Sequence, residues 1–374
     1  MLRRIFSLIV KEFIHLHSDW WLPAFMLIGG ATELLLVGWA TSRPITNLPL
    51  MVLDHSQSAA SRTVVIGLEN TGTFQLAEQV SDMRTIEVAL DRGQINAAVV
   101  IPPDFGEQMA SNTGHPTLLV ILNGAESTPA EAALRAIDGL ARAIDQRIAI
   151  QRLGLSPEEF AGFDPSLRVW FNENLSEALY TTPAELALML EFTVLLFAAL
   201  TFSRERELGT LEQLLVMPFS ALEIIVGKAI PVIVVGFADF SLMLGMVHFA
   251  FGVPVRGSLV LLLALALGYL LVELGKGRVI SVISRTQHQA FLLVMLVGMV
   301  DFMFTGYAAP VEGMPRVLQW FALFIPAHHW LTILRGILLK GAGLDVLWPH
   351  LLALLGLGIV IGTFSLRFVR RALD

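Results

Sequence analysis

The chain contains no cysteine. That excludes disulfides, thiolate metal sites and cysteine nucleophiles, so any part outside a membrane must hold together by packing alone. Charge is scarce as well: Asp, Glu, Lys and Arg make up 15% of the 374 residues, against roughly a quarter in an ordinary soluble domain. There is no basic excess, the formal net charge being −7. A nucleic-acid partner is excluded, because a phosphate-binding surface requires such an excess. Three catalytic signatures are missing too. No G-x-x-x-x-G-K-[ST] loop cradles nucleotide phosphates, no G-x-S-x-G elbow presents a nucleophile, and no H-E-x-x-H helix holds zinc. Gly275-Lys276-Gly277 is the nearest fragment of a phosphate loop, and it lacks the upstream glycine. No catalytic residue and no cofactor bound by this chain are expected. A metal site is not expected either: the rings of His328-His329 and of His15 and His17 point apart in a helix, without a carboxylate at ligand spacing.

What is abundant is apolar sequence, 55% of residues with a mean hydropathy of +0.68. This is a membrane composition. Runs of about 20 apolar residues cross the ~30 Å hydrocarbon layer as helices, and the predicted spans are 22–40, 183–202, 224–251, 259–280, 290–308 and 344–366. Trp20, Trp21 and Trp39 mark the interfaces of the first. In residues 1–21, Leu2, Ile5, Phe6, Ile9, Val10 and Phe13 recur at helical spacing, with Arg3, Arg4, Ser7, Lys11 and Glu12 opposite. This predicts an amphipathic helix in the headgroup layer. A signal sequence is the rival reading, and Lys11, Glu12, His15, His17 and Asp19 interrupt its apolar core. Segment 310–343 is broken by Pro315, Pro326 and Gly336 and is read as two short helices dipping into the outer leaflet.

Residues 41–180 have a mixed polar character and read as an inserted α+β domain. Strands are predicted at 48–53, 95–101 and 117–122, and helices near 58–69, 85–91, 103–110 and 129–153, the last capped by Thr128 with Pro129 at its first position. Lysine and arginine orient the whole. One set of segments, with the tail 367–374, holds Arg3, Arg4, Lys11, Arg204, Arg206, Lys228, Lys276, Arg278, Arg285, Arg367, Arg370 and Arg371, and the opposite short loops hold Arg256, Arg316, Arg335 and Lys340. The excess places both termini in the cytoplasm and 41–180 outside it.

Between the second and third spans lies Arg204 to Pro218, RERELGTLEQLLVMP. Read as one short helix ending at Pro218, it puts Leu208, Leu211, Leu214 and Leu215 on one arc and Glu205, Arg206, Gly209, Glu212 and Gln213 on the other. This run, followed by Gly227-Lys228 and Pro231, resembles the loop of ABC-2 type transporter permeases that docks into a separate ATPase subunit. Arg204, Glu205, Arg206, Glu207, Gly209, Thr210, Glu212, Gln213, Leu214 and Pro218 all match the pattern. Residues 41–180 resemble the large extracytoplasmic insert of some members, through Asp54, Gln57-Ser58, Gly93 and Ile101-Pro102-Pro103-Asp104-Phe105. Trp170-Phe171-Asn172 matches an exit element, although Glu173 replaces the usual proline.

The resemblance implies an α-helical polytopic membrane protein of six transmembrane helices, with an N-terminal elbow helix, a cytoplasmic coupling helix at 204–218 and the inserted α+β domain. It implies a type V ABC exporter of drug-like or lipid-like amphipathic molecules in the inner membrane. Its partners would be ABC ATPase subunits, which use the ATP and Mg, and a second permease copy or paralogue. A periplasmic adaptor and an outer-membrane channel complete the expected assembly.

Carboxylates within the spans are the remaining feature: Glu33, Glu191, Asp239, Glu273 and Asp301. Each costs about 2.5–3.5 kcal/mol at the bilayer centre unless it meets protein, water or a cation. Lys276, one turn on, is the expected partner of Glu273, while Glu33, Glu191, Asp239 and Asp301 are candidates for a path taken by a cationic substrate. The same acids allow a stand-alone ion-coupled exporter, and the inserted domain allows a membrane-anchored assembly or receptor protein.

Overall fold

The computed structural model describes residues 2–42, 44–111, 113–153, 170–173 and 176–373, without the side chains of 151, 153, 214, 215 and 371–373. Helices α1 (Leu2–Ser18) and α2 (Trp21–Ser42) come first. There follow β1 (Leu48–Asp54), α3 (Ala59–Asn70), β2 (Phe74–Val80), α4 (Met83–Asp91), β3 (Ala97–Ile101), α5 (Phe105–Ala110), β4 (Leu119–Leu122) and α6 (Ser127–Leu153). The remainder is helical: α7 (Glu177–Glu207), α8 (Leu211–Val216), α9 (Ala221–Phe251), α10 (Leu259–Ile283), α11 (Gln287–Phe304), α12 (Arg316–Ala322), α13 (Pro326–Arg335) and α14 (Leu344–Leu373). The chain divides into two compact units, Pro44–Leu167 and the rest.

In the smaller unit the sheet order is β2-β1-β3-β4, with β1 parallel to β2 and β3, and β4 antiparallel to β3. Alternation along β1 sends Leu48, Leu50 and Val52 to a core with Val64, Leu68 and Ala133 of α3 and α6. Met51 and Leu53 go to the other face, against Ile86 and Ala89 of α4. Strand β2 has no counterpart in the sequence reading. It is an edge strand with only Phe74 buried, so its apolar signal is weak. Helix α6 starts at Ser127, so Thr128 and Pro129 lie in its first turn and Thr128 is not the cap expected from sequence.

In the larger unit, among the described residues, six helices are long and apolar enough to cross a membrane: α2, α7, α9, α10, α11 and α14. Helix α12 and the stretch Pro326–Lys340, which ends in a π-helical turn, form a further pair bent by 84°. Helix α7 is the hub, packing against α2, α9, α10, α11 and α13. It starts at Glu177 rather than 183 and runs to Glu207 rather than 202, because its polar ends continue the helix beyond the apolar run. Between helices in lipid, close backbone approach replaces hydrophobic driving force. Gly277 of α10 provides it: a Cβ there would lie 2.5 Å from the Ala198 side chain and 2.7 Å from the Leu195 carbonyl of α7.

Helix α1 packs on α9 with the face opposite to its apolar stripe. Leu8 is buried among Phe202, Ile224, Ile225 and Val369, while Leu2, Phe6, Val10 and Phe13 are exposed. The stripe faces outward, and Lys11 and Glu12 face protein.

Candidate functional site

Segment 204–218 is not the single helix expected from sequence. Arg204 to Glu207 form the last turn of α7, the chain reverses at Gly209 with φ +70°, and α8 is a separate helix of 6 residues. The φ at Gly209 is one that a side chain resists, and the Thr210 N–H donating to the Glu205 carbonyl (2.9 Å) closes the turn. Met217 is extended before Pro218, and a capping box of Ser220 and Glu223 then opens α9. Glu212, Gln213 and Pro218 are exposed, as are Leu208, Val216 and Met217. Leu211 is partly buried against the Leu8 cluster. The side chains of Leu214 and Leu215 lie outside the described residues.

The segment is fastened on three sides. Glu205 is buried and accepts from Lys11 (2.7 Å), Lys228 (3.1 Å) and the Thr210 hydroxyl. Lys228 also donates to Glu12 (2.7 Å), so α1, α7 and α9 share one network. Arg204 pairs with Asp19 (3.0 Å), and Arg4 donates to the Pro218 carbonyl (2.7 Å). On the other flank Arg206 donates to the carbonyls of Val282 (2.9 Å) and Ser284, and Glu207 accepts from the Gln287 N–H (2.7 Å). Sequence reading places Lys11 and Glu12 on the polar face of α1 without naming a partner for either. Their partners lie about 200 residues away in the chain, at separations of 194 and 216, where no local pattern reports them.

The intramembrane acids separate into two groups. Glu191 of α7, Glu273 of α10 and Asp301 of α11 are buried and converge on Lys276, at 3.0 Å for Glu191 and 2.8 Å for Glu273, with Asp301 in direct contact. The Lys276 ammonium donates to Glu191 and Asp301, while Glu273 faces it as an ion pair without hydrogen-bond geometry. The Tyr269 hydroxyl lies 3.5 Å from Glu191. Lys276 is thus the partner of three acids, where sequence reading paired it with Glu273 alone. Asp239 is buried on α9 beside Thr193 with no ionic partner among the described residues, and Glu33 is exposed on α2. Sequence reading missed Glu185, buried on α7 and hydrogen-bonded to Tyr307; its signal is a further lone acid beside an apolar run. His329 Nδ1 lies 3.1 Å from His350 Nδ1, and among the described residues no group of three His, Asp or Glu is placed to hold a metal ion.

Comparison with known proteins bears on this arrangement. The sequence profile of a family described as ABC-2 family transporter protein matches residues 20–367. The chain is 28% identical over 371 residues to the probable multidrug ABC transporter permease YbhR of Escherichia coli K12, covering 99% of each chain. Identity to YbhS of the same strain, likewise named a probable multidrug ABC transporter permease, is 28% over 376 residues, 99% of this chain and 97% of that one. The inner membrane transport permease YhhJ, also of strain K12, is 27% identical over 375 residues, with 100% and 98% covered.

Proposed function

This chain belongs to the ABC-2 transporter family, and from that premise we propose that it is the membrane-spanning permease subunit of an ABC exporter, driven by a separate ATPase that docks on Arg204–Pro218. The observation that carries the reading is the continuity of this segment with α7: the exposed Glu212 and Gln213 follow directly on the helix that packs against five others. A push on the short α8 is delivered to α7 through the Gly209 turn, to α1 and α9 through the ion pairs of Glu205, and to the α10–α11 connection through the hydrogen bonds of Arg206 and Glu207. Coupling requires that the ATPase bind two permease states with different affinity.

In this reading both termini and the docking segment are cytoplasmic, residues 41–180 lie outside the inner membrane, and α1 is the elbow helix. A second copy or a paralogue completes the permease, the ATPase uses ATP and Mg, and the outer unit is a platform for an adaptor and outer-membrane channel. The cargo is amphipathic, drug-like or lipid-like; YbhR and YbhS, both named probable multidrug ABC transporter permeases, support the drug-like choice. Of the four acids assigned to a cationic path, Glu191 and Asp301 share Lys276, which leaves the buried Asp239 and the exposed Glu33 without an ion pair among the described residues.

The test is transport-linked ATPase activity in reconstituted vesicles. Glu212→Ala and Gly209→Pro are expected to lower it at least tenfold with membrane insertion intact. Full coupling in both variants contradicts the docking role. Transport that is indifferent to ATP and abolished by an uncoupler selects the ion-coupled alternative.

A further inference from the structure

A cavity of about 100 Å³ lies where α1, α2, α7 and α9 meet. One end is apolar, walled by Leu16, Leu22, Phe197, Leu200, Val232 and Val235. The other end carries Glu12, His15, Arg204, Glu205 and Lys228. His15, Glu205 and Thr210 also line a second cavity of about 400 Å³ between α1 and the docking segment, so the polar end opens toward Gln213 and Met217. The space is amphipathic in the same sense as a lipid, with an apolar slot and a charged mouth.

Size decides between occupants. Drug-sized ligands need pockets of about 300–1,000 Å³, so the slot of about 100 Å³ admits only the end of a thin chain. At ~30 Å³ for a water-sized group, it seats a few methylenes. Charge decides the head. Glu12, Glu205 and Lys228 are committed to one another and to Lys11. The half-buried His15 ring has no hydrogen-bond partner among the described residues, and Arg204 uses Nη1 on Asp19 (3.0 Å), leaving its other nitrogens as donors. The unspent groups at the mouth are therefore donors that suit an oxyanion. The surroundings supply the source, since Phe13, Ile14 and Trp21, next in the chain to the lining residues Glu12, His15 and Leu22, are exposed apolar side chains of a membrane-spanning chain.

We propose that this cavity is a phospholipid site, with the phosphate at His15 and Arg204 and the first methylenes of one acyl chain in the slot between α7 and α9. The bound lipid wedges α1 against the end of α7 beside the docking segment. Assigning it to the cytoplasmic leaflet rests on the sidedness proposed above; its binding does not.

The experiment is native mass spectrometry of the delipidated full chain in detergent, titrated with dioleoyl phosphatidylglycerol, dioleoyl phosphatidylethanolamine and dioleoylglycerol. One saturable copy of each phospholipid is expected, at least tenfold tighter than dioleoylglycerol, which has the same chains without phosphate. Val235→Trp, filling the slot, and His15→Gln with Arg204→Gln are each expected to weaken phospholipid binding at least tenfold. Leu200→Phe serves as a milder filler should Val235→Trp fail to fold. Equal binding of dioleoylglycerol, or slot-filling variants that bind as the unmodified chain does, overturns the proposal, as does a dimer that excludes lipid from the cavity. No ATPase enters the assay, so its failure is separable from a failure of the docking role.

Discussion

Two lysines stand inside the helical unit, and they are held differently. Lys228 of α9 shares Glu12 and Glu205 with Lys11, so two cations face two carboxylates. Lys276 of α10 faces Glu191, Glu273 and Asp301 alone. The first cluster is balanced, and its outer cation, Lys11, can turn to water when one carboxylate is lost. The second has acid in excess, so its single cation is the member it can least lose. Burial of ion pairs is not in itself stabilising, because desolvation offsets attraction, but stripping one partner from a buried pair is costly. The two clusters therefore share chemistry and differ in which substitution breaks them.

The largest effect is expected for Lys276→Met. It leaves three buried carboxyl groups without a cation, with a loss of about 3–5 kcal/mol, seen as a collapse in the yield of monodisperse protein and in its melting temperature. Next comes Glu205→Gln, where Lys228 keeps Glu12 and Lys11 moves toward water. A loss of about 1–3 kcal/mol is expected, read as a lower melting temperature. Glu273→Gln removes one of the excess acids and is expected to cost under ~1 kcal/mol; a loss as large as that of Lys276→Met would erase the asymmetry between the clusters. The smallest effect belongs to Arg135→Ala on α6, whose exposed i,i+4 pair with Glu131 (3.3 Å) contributes ~0.3–0.5 kcal/mol. It sets the baseline for an ion pair in water, measured by the same melts.

The same contrast separates what was legible in the chain from what was not. The apolar runs of α9, α10 and α14 announce themselves, because a helix in lipid needs a continuous stretch of side chains and that is a local property. Gly209 and Pro218 were visible as punctuation, yet the sequence reading carried the helix through Gly209, since a glycine in a helical pattern is also tolerated as a mere weakening. Strand β2 was passed over because an edge strand alternates weakly. The apolar stripe of α1, Leu2, Phe6 and Val10, is legible and lies exposed, whereas the pairing of Lys11 and Glu12 with Glu205 and Lys228 is not, because those partners are far along the chain.

From the residues alone follow the membrane class, the apolar runs that become helices, and the family that the run Arg204–Pro218 marks, all consequences of composition and short-range order. The tertiary structure decided that Lys276 reaches Glu191, 85 residues away, and that Lys228 reaches Glu12, 216 residues away. A buried charge needs a counter-charge but not a near one in sequence. Several acids were available to each lysine, and helix packing made the choice.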